Sequence, residues 1–272
     1  MATYDREWEP TLRFAERTYG SGVLIGEFPL FTEGGKTRRR VDGILIRGGT
    51  RFEAHQWKDL LEESSTGYWA DRLHGGRLVV IQTKLTTVGL AVLGQALLSD
   101  LLIAERFNPR ALETVALASG ADQAISRLLA NDLFRRLRVE VDPRYPPRRP
   151  RLEPKREPLL RRAYAQRALP DWACVEGFDV TPVHSIEAVY VRGQPVPRSP
   201  TDLTGRHVVL VHSAEKPHLD LIGHVVFGAA LVKQIARPAS LSSRLVVRRD
   251  DRDLTSLLPQ FPDTQLVLPG DW

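Results

Sequence analysis

The sequence predicts an α/β protein, a mixed β-sheet flanked by helices, in two tandem units. Three observations predict it. Short apolar runs of strand type alternate with helical segments through the first half. One run, Arg77 to Leu85 (RLVVIQTKL), is almost continuously apolar at its centre, as in an inner strand covered on both faces. The strand–strand–helix order then returns after a segment rich in proline and arginine.

Asp5 to Tyr19 reads as a helix, with Leu12, Phe14 and Ala15 set among charges, and Gly20-Ser21-Gly22 ends it. Val23 to Phe31 (VLIGEFPLF) is expected as a strand, Glu33-Gly34-Gly35 as a turn and Arg40 to Ile46 as a second strand, together a hairpin. His55 to Glu63 follows as a short helix. Arg77 to Leu85 is the third strand, Val88 to Arg106 a long helix, Thr114 to Ala118 a strand, Gln123 to Arg135 a helix and Leu137 to Val141 a last strand. Pro143 to Pro158 (PRYPPRRPRLEPKREP) should run as extended, polyproline-like chain. Residues 143–165 are therefore read as a linker between a first domain, 1–142, and a second, 166–272.

The second domain carries echoes of the first. Val41-Asp42-Gly43-Ile44 aligns with Ile186-Glu187-Ala188-Val189, and Val79-Val80-Ile81 with Val208-Val209-Leu210. Leu90 to Gly94 aligns with Leu219 to Gly223, and Leu128-Leu129 with Leu257-Leu258. On this alignment Val211 matches Gln82 and Ser213 matches Lys84. Glu187 could stand in for Asp42, but the second unit reads as a degenerate copy without a catalytic centre.

Composition sets the outer limits. The 272 residues are 42% apolar and 26% charged, ordinary for a globular chain with room for two cores. The net charge of +5 and pI near 9.5, carried mostly by arginine, fit an anionic partner. Cys174 is the sole cysteine, so no internal disulfide or cysteine zinc site can form, which suits a reducing cytoplasm. MATYDREWEP lacks the apolar core of a signal peptide. Val88 to Ala104 is broken by Gln95, Ser99 and Asp100, and so is expected as a buried helix rather than a membrane span.

The chemistry concentrates in the first domain. Asp42 lies on the second strand; Gln82 and Lys84 lie two apart near the end of the third, so they share a face. Neighbouring strands would bring a carboxylate, an amide oxygen and an ammonium together, with Gln95 on the following helix over the same end. A hard cation such as Mg²⁺ takes oxygen ligands. Asp42 would supply charge, Gln82 a neutral oxygen and Thr83 its backbone carbonyl. Lys84 would hold or deprotonate an attacking water and stabilise phosphoryl oxygens.

Asp42, then Ile81-Gln82-Thr83-Lys84, then a helix with Gly94-Gln95, resembles the PD-(D/E)XK nuclease superfamily, in its Mrr-like restriction-endonuclease branch with a Q-x-K motif. The resemblance covers residues 10 to 141. It implies a restriction-endonuclease-like fold, a DNA substrate, and Mg²⁺ with Mn²⁺ as a substitute. It makes Asp42 and Gln82 metal ligands, Lys84 catalytic and Gln95 a supporting residue. A glutamate from the first helix often completes such a site; Glu16 is the candidate, and Glu27 on the first strand its competitor. The implied activity is metal-dependent DNA cleavage in restriction, phage defence or repair, with a homodimer for a double-strand cut. The alternative is a non-catalytic nucleic-acid-binding or assembly module on the same scaffold.

Other motifs carry less. Gly20-Ser21-Gly22 with Gly26 precedes a strand rather than joining strand to helix, against a dinucleotide fingerprint. Gly34-Gly35-Lys36-Thr37 lacks the upstream glycine of a P-loop. His212, His218 and His224 straddle a strand end and a helix, and Trp57, Tyr68 and Trp69 read as packing of a small flap.

Overall fold

A computed structural model describes residues 4–33, 36–62, 66–129, 134, 136–145 and 157–272. The chain forms two compact units. Unit 1 comprises residues 1–88, 95–121 and 129–149; unit 2 comprises 89–94, 122–128 and 150–272. Each holds a mixed sheet flanked by helices.

Unit 1 opens with helix α1 (Tyr4–Tyr19), then strands β1 (Gly22–Glu33), β2 (Lys36–Arg47) and β3 (Phe52–Gln56). Helices α2 (Trp57–Glu62) and α3 (Thr66–Leu73) precede β4 (Arg77–Thr87). Helix α4 (Leu90–Phe107), β5 (Ala111–Gly120), α5 (Gln123–Leu129) and β6 (Leu137–Val141) follow; the first turn of α4 and nearly all of α5 cluster with unit 2. The sheet order is β3-β1-β2-β4-β5-β6. The neighbours β1/β2 and β2/β4 are antiparallel; β1/β3, β4/β5 and β5/β6 are parallel.

Helix α1 buries Thr11, Phe14 and Ala15 and exposes Glu16 and Arg17, the three-and-four spacing of a helix with one apolar face. Phe14 and Ala15 pack with Leu24, Leu45, Val79, Ile81, Val115 and Leu117 from four strands. The alternate residues of those strands face the other way, so β4 is buried along its apolar run, as its sequence predicts.

The expected element order is found, with two additions, β3 and α3, and some shifted ends. β3 occupies Phe52–Gln56, where a helix was expected from His55. FEAHQ is a half-exposed edge strand with no apolar alternation, so it carries no period-2 signal. The hairpin strands also run further than their apolar cores. The turn residues Gly34-Gly35 and most of the expected helix end, 130–133 and 135, lie outside the described residues.

Unit 2 contains α6 (Pro158–Ala168), β7 (Trp172–Thr181), β8 (His184–Arg192), β9 (His207–Ala214), α7 (Leu219–Ala236), β10 (Ser240–Val247), α8 (Arg252–Thr255) and β11 (Thr264–Val267). The helix α6 corrects the linker expected over 143–165, because residues 158–165 are helical. Pro158 sits at its first turn, where a missing N–H costs nothing. The arginine-rich stretch 146–156 lies outside the described residues.

The sheet order is β11-β10-β9-β8-β7, with β7/β8 and β8/β9 antiparallel and β9/β10 and β10/β11 parallel. These pairings follow one another as β1/β2, β2/β4, β4/β5 and β5/β6 do. The register corrects the residue matching. Ile44 stands opposite Val80, and Val189 stands opposite Leu210. With Ile44 matched to Val189, Val80 corresponds to Leu210 and not to Val209. Gln82, Thr83 and Lys84 then correspond to His212, Ser213 and Ala214. Leu257-Leu258 also departs from expectation, following α8 into a 3₁₀ turn rather than lying in a helix.

Within unit 2, Gly94 and Gly223 are nearly in contact. A Cβ on Gly94 would fall 2.1 Å from Gly223 Cα, and one on Gly223 2.4 Å from Gly94 Cα. Any larger residue at either position would push these helix turns apart. Helix α7 is long and apolar enough to cross a membrane by length and composition, with 61% of that stretch buried inside the protein.

Candidate active site

Asp42 lies on β2 beside the end of the β2/β4 ladder, whose last pair is Gly43 with Ile81. Beyond it the Asp42 side chain takes over from backbone pairing. The Thr83 N–H donates to Asp42 Oδ2 at 2.7 Å. A strand residue sends its N–H and C=O to the same side, so the Thr83 carbonyl also leaves toward β2. Gln82 is buried, and its Nε2 donates to Ser99 Oγ on α4 at 3.0 Å. That bond uses the amide nitrogen and leaves the carbonyl oxygen as acceptor. Lys84 Nζ donates to both carboxylate oxygens of Glu7, at 2.9 and 3.0 Å. The hydroxyls of Thr83 and Thr11 lie 2.7 Å apart and tie β4 to α1 one turn from Glu7.

Asp42, Gln82, Thr83 and Lys84 are thus grouped as expected. Glu16 is not with them. It is exposed, nine residues after Glu7, about 13 Å further along α1. Glu7 takes the place expected for it, a residue the sequence reading missed. The signal was present, since Glu7, Thr11 and Phe14 follow the spacing of one helix face. Gln95 is partly buried one turn before Ser99 on the same face of α4, but Ser99 is the residue bonded to Gln82.

Burial pushes the Asp42 carboxyl up to about 7, with Glu7 and Glu27 adding to the rise and Lys84 and the Thr83 N–H opposing it. Burial also raises Glu27. Glu27 has φ +55°, a left-handed backbone that costs a non-glycine residue on the order of 1 kcal/mol. It falls opposite Asp42, between the pairs Gly26–Gly43 and Phe28–Val41. Its charged neighbour is Arg40, 3.5 Å away.

The corner of unit 2 at the equivalent sheet position has similar wiring around different residues. The Ser213 N–H donates to Glu187 Oε2 at 2.9 Å, as Thr83 does to Asp42. The Ser213 hydroxyl donates to Glu187 Oε1 at 2.6 Å. Arg161 of α6, buried like Glu187, bonds that carboxylate at 2.7 Å and Glu176 at 2.8 Å. Ala214 stands where unit 1 has Lys84. Gly177, at φ +61°, falls between the pairs Glu176–Ala188 and Phe178–Ile186, where unit 1 has Glu27.

Among the described residues no group of three or more His, Cys, Asp or Glu side chains is arranged to hold a metal ion. A cation at Asp42 would therefore draw on one carboxylate plus the neutral oxygens of Gln82 and Thr83. That all-oxygen set fits a hard divalent ion that keeps several waters. His218 caps α7, accepting from the Leu221 N–H at 3.2 Å, and Trp57 packs edge-on against Phe28. Comparison with protein-family models, with curated proteins and with solved structures found no match.

Proposed function

We propose that the chain is a metal-dependent DNA endonuclease with one working site, at Asp42, Gln82, Thr83, Lys84 and Glu7. The observation that carries this is the 2.7 Å bond from the Thr83 N–H to Asp42, which gathers the acidic residue and the Q-x-K strand at one point. Two further features support it: the order α-β-β-β-α-β, allowing for the inserted β3, α2 and α3, and the basic charge. On this reading unit 1 is a restriction-endonuclease-like domain and unit 2 its tandem duplicate, supported by the matched strand pairings and the repeated carboxylate-to-backbone bond.

Asp42, Gln82 Oε1 and the Thr83 carbonyl would hold Mg²⁺, or Mn²⁺ in its place, and the bound ion would supply an acidified water and charge neutralisation. Lys84, paired as an ion with Glu7, acts as a fixed positive charge toward the phosphoryl oxygens rather than as a base. Ser99 sets the Gln82 amide so that oxygen, not nitrogen, faces the cation. Asp42 must lose its proton to bind metal. With its carboxyl near 7, apparent metal affinity should rise about tenfold per pH unit below 7 and level off above. With a single site per chain, a double-strand cut takes a homodimer, and the setting proposed is cytoplasmic.

The test is cleavage of supercoiled plasmid with Mg²⁺ or Mn²⁺, beside Lys84→Ala. The wild type should nick, and Lys84→Ala should bind DNA without nicking. Equal nicking by both removes the proposal. A second reading, a non-catalytic DNA-binding module, is favoured by the glutamine at position 82, one charge short of an acidic pair. Salt-sensitive binding without cleavage under either metal selects it.

A further inference from the structure

We infer that the extended β1–β2 hairpin of unit 1 is a DNA-gripping arm, whose basic strand end lies along the phosphate backbone of a duplex beside the scissile bond. The inference rests on the nuclease reading and deepens it by naming the element that holds the substrate. Positive charge is concentrated there. Four of the five residues Lys36-Thr37-Arg38-Arg39-Arg40 are basic, a run that ends two residues before Asp42. The facing strand end, Phe28 to Glu33, carries one carboxylate, Glu33.

Unit 2 lacks this arm. β2 begins at Lys36, six residues ahead of Asp42, whereas β8 begins at His184, three residues ahead of Glu187. The three extra residues add about 10 Å of ribbon, so that the arm reaches about 20 Å beyond Asp42, roughly half a turn of duplex. The short hairpin of unit 2, Phe178 to Ile186, has no lysine or arginine. Where Arg161 closes the carboxylate, the basic extension is missing too. The arm is also held firmly at its root. The ladder skips Leu30 on β1 and Arg38 on β2, since Phe31 pairs with Arg39 and Thr32 with Thr37, and such bulges twist a ribbon. Leu30 is buried, and its carbonyl accepts from Arg106 Nη1 of α4 at 2.6 Å. Phe28 packs edge-on against Trp57 and Phe107. The run of basic residues is thus fixed in place beside the candidate site. A two-stranded ribbon is narrow enough to enter the major groove, and phosphate contacts of this kind position a duplex without reading its sequence.

The experiment measures metal-free binding to a fluorescent duplex by anisotropy, from about 50 to 200 mM salt. It compares wild type, Lys36→Gln/Arg38→Gln/Arg39→Gln, and a charge-matched control at exposed unit 2 positions, Arg192→Gln/Arg198→Gln/Arg252→Gln. Each phosphate contact contributes about 0.9 to the slope of log affinity against log salt, so the arm variant should lose about 2–3 from that slope. The control should keep the wild-type slope. In plasmid nicking with Mn²⁺ the arm variant should show KM raised about tenfold with kcat retained. Should melting show the triple variant misfolded, Lys36→Gln/Arg38→Gln should still lose about 2 from the slope. An arm variant with the wild-type slope, or a control that loses as much, overturns the arm and leaves the nuclease reading standing. A wild type that binds no duplex fails the nuclease reading itself and takes the arm with it.

Discussion

The Asp42 corner of unit 1 and the Glu187 corner of unit 2 begin from the same wiring. In each, a carboxylate on the second hairpin strand accepts a backbone N–H from the next strand, at 2.7 Å and 2.9 Å. They differ in what neutralises the carboxylate. Glu187 is closed off by Arg161 from within and is buried with it. At Asp42 burial raises the carboxyl to about 7; Lys84, itself bonded to Glu7, opposes the rise, and Glu7 and Glu27 add to it. The same scaffold thus carries a self-satisfied corner and one that a cation would stabilise.

Breaking each corner should expose that difference. The largest effect is expected at Arg161→Ala, which leaves Glu187 buried without its counter-charge and should cost about 3–5 kcal/mol in chemical denaturation. Next is Lys84→Ala, whose nicking rate should fall about 10²- to 10³-fold. Its half-exposed pair with Glu7 should cost under about 1 kcal/mol of stability.

Asp42→Asn should act in the opposite sense. The native state binds the Asp42 proton more tightly than the unfolded chain does. Wild-type stability is therefore full below about pH 4 and declines as pH rises through 7. Removing the charge should raise stability by on the order of 2 kcal/mol at pH 8, a figure reduced for partial exposure. The gain should vanish at pH 4, which melting curves at the two pH values would resolve. An unaltered curve at pH 8 would mean the Asp42 charge is compensated after all. The smallest effect is expected at Ser99→Ala, about 1 kcal/mol for the buried bond to Gln82, with weaker metal response as the amide loses its orientation.

Much of the first unit was legible because its strands carry their own signals. RVDGILI and RLVVIQTKL alternate or run apolar as inner strands do, and they placed Asp42, Gln82 and Lys84 together. Glu7 was missed because a charged residue near a helix start looks like surface until a neighbouring strand supplies its partner. β3 was missed because an edge strand needs no apolar rhythm. The one-residue slip in matching the two units arose in runs of valine, leucine and isoleucine, where any offset fits; hydrogen bonding fixes it, through the Ser213 N–H on Glu187. The left-handed backbone at Glu27 left no trace in composition, because nothing local demands it.

The close approach of Gly94 and Gly223 bears on how the chain is made. Unit 2 includes residues 89–94 and 122–128, which leave the ribosome long before α7. The partners of Leu90 and Gly94, at Leu219 and Gly223, do not exist until most of the chain has been synthesised. Contacts of such sequence separation close slowly. The apolar first turn of α4 must wait uncovered through that interval, a window open to chaperone capture or misassembly.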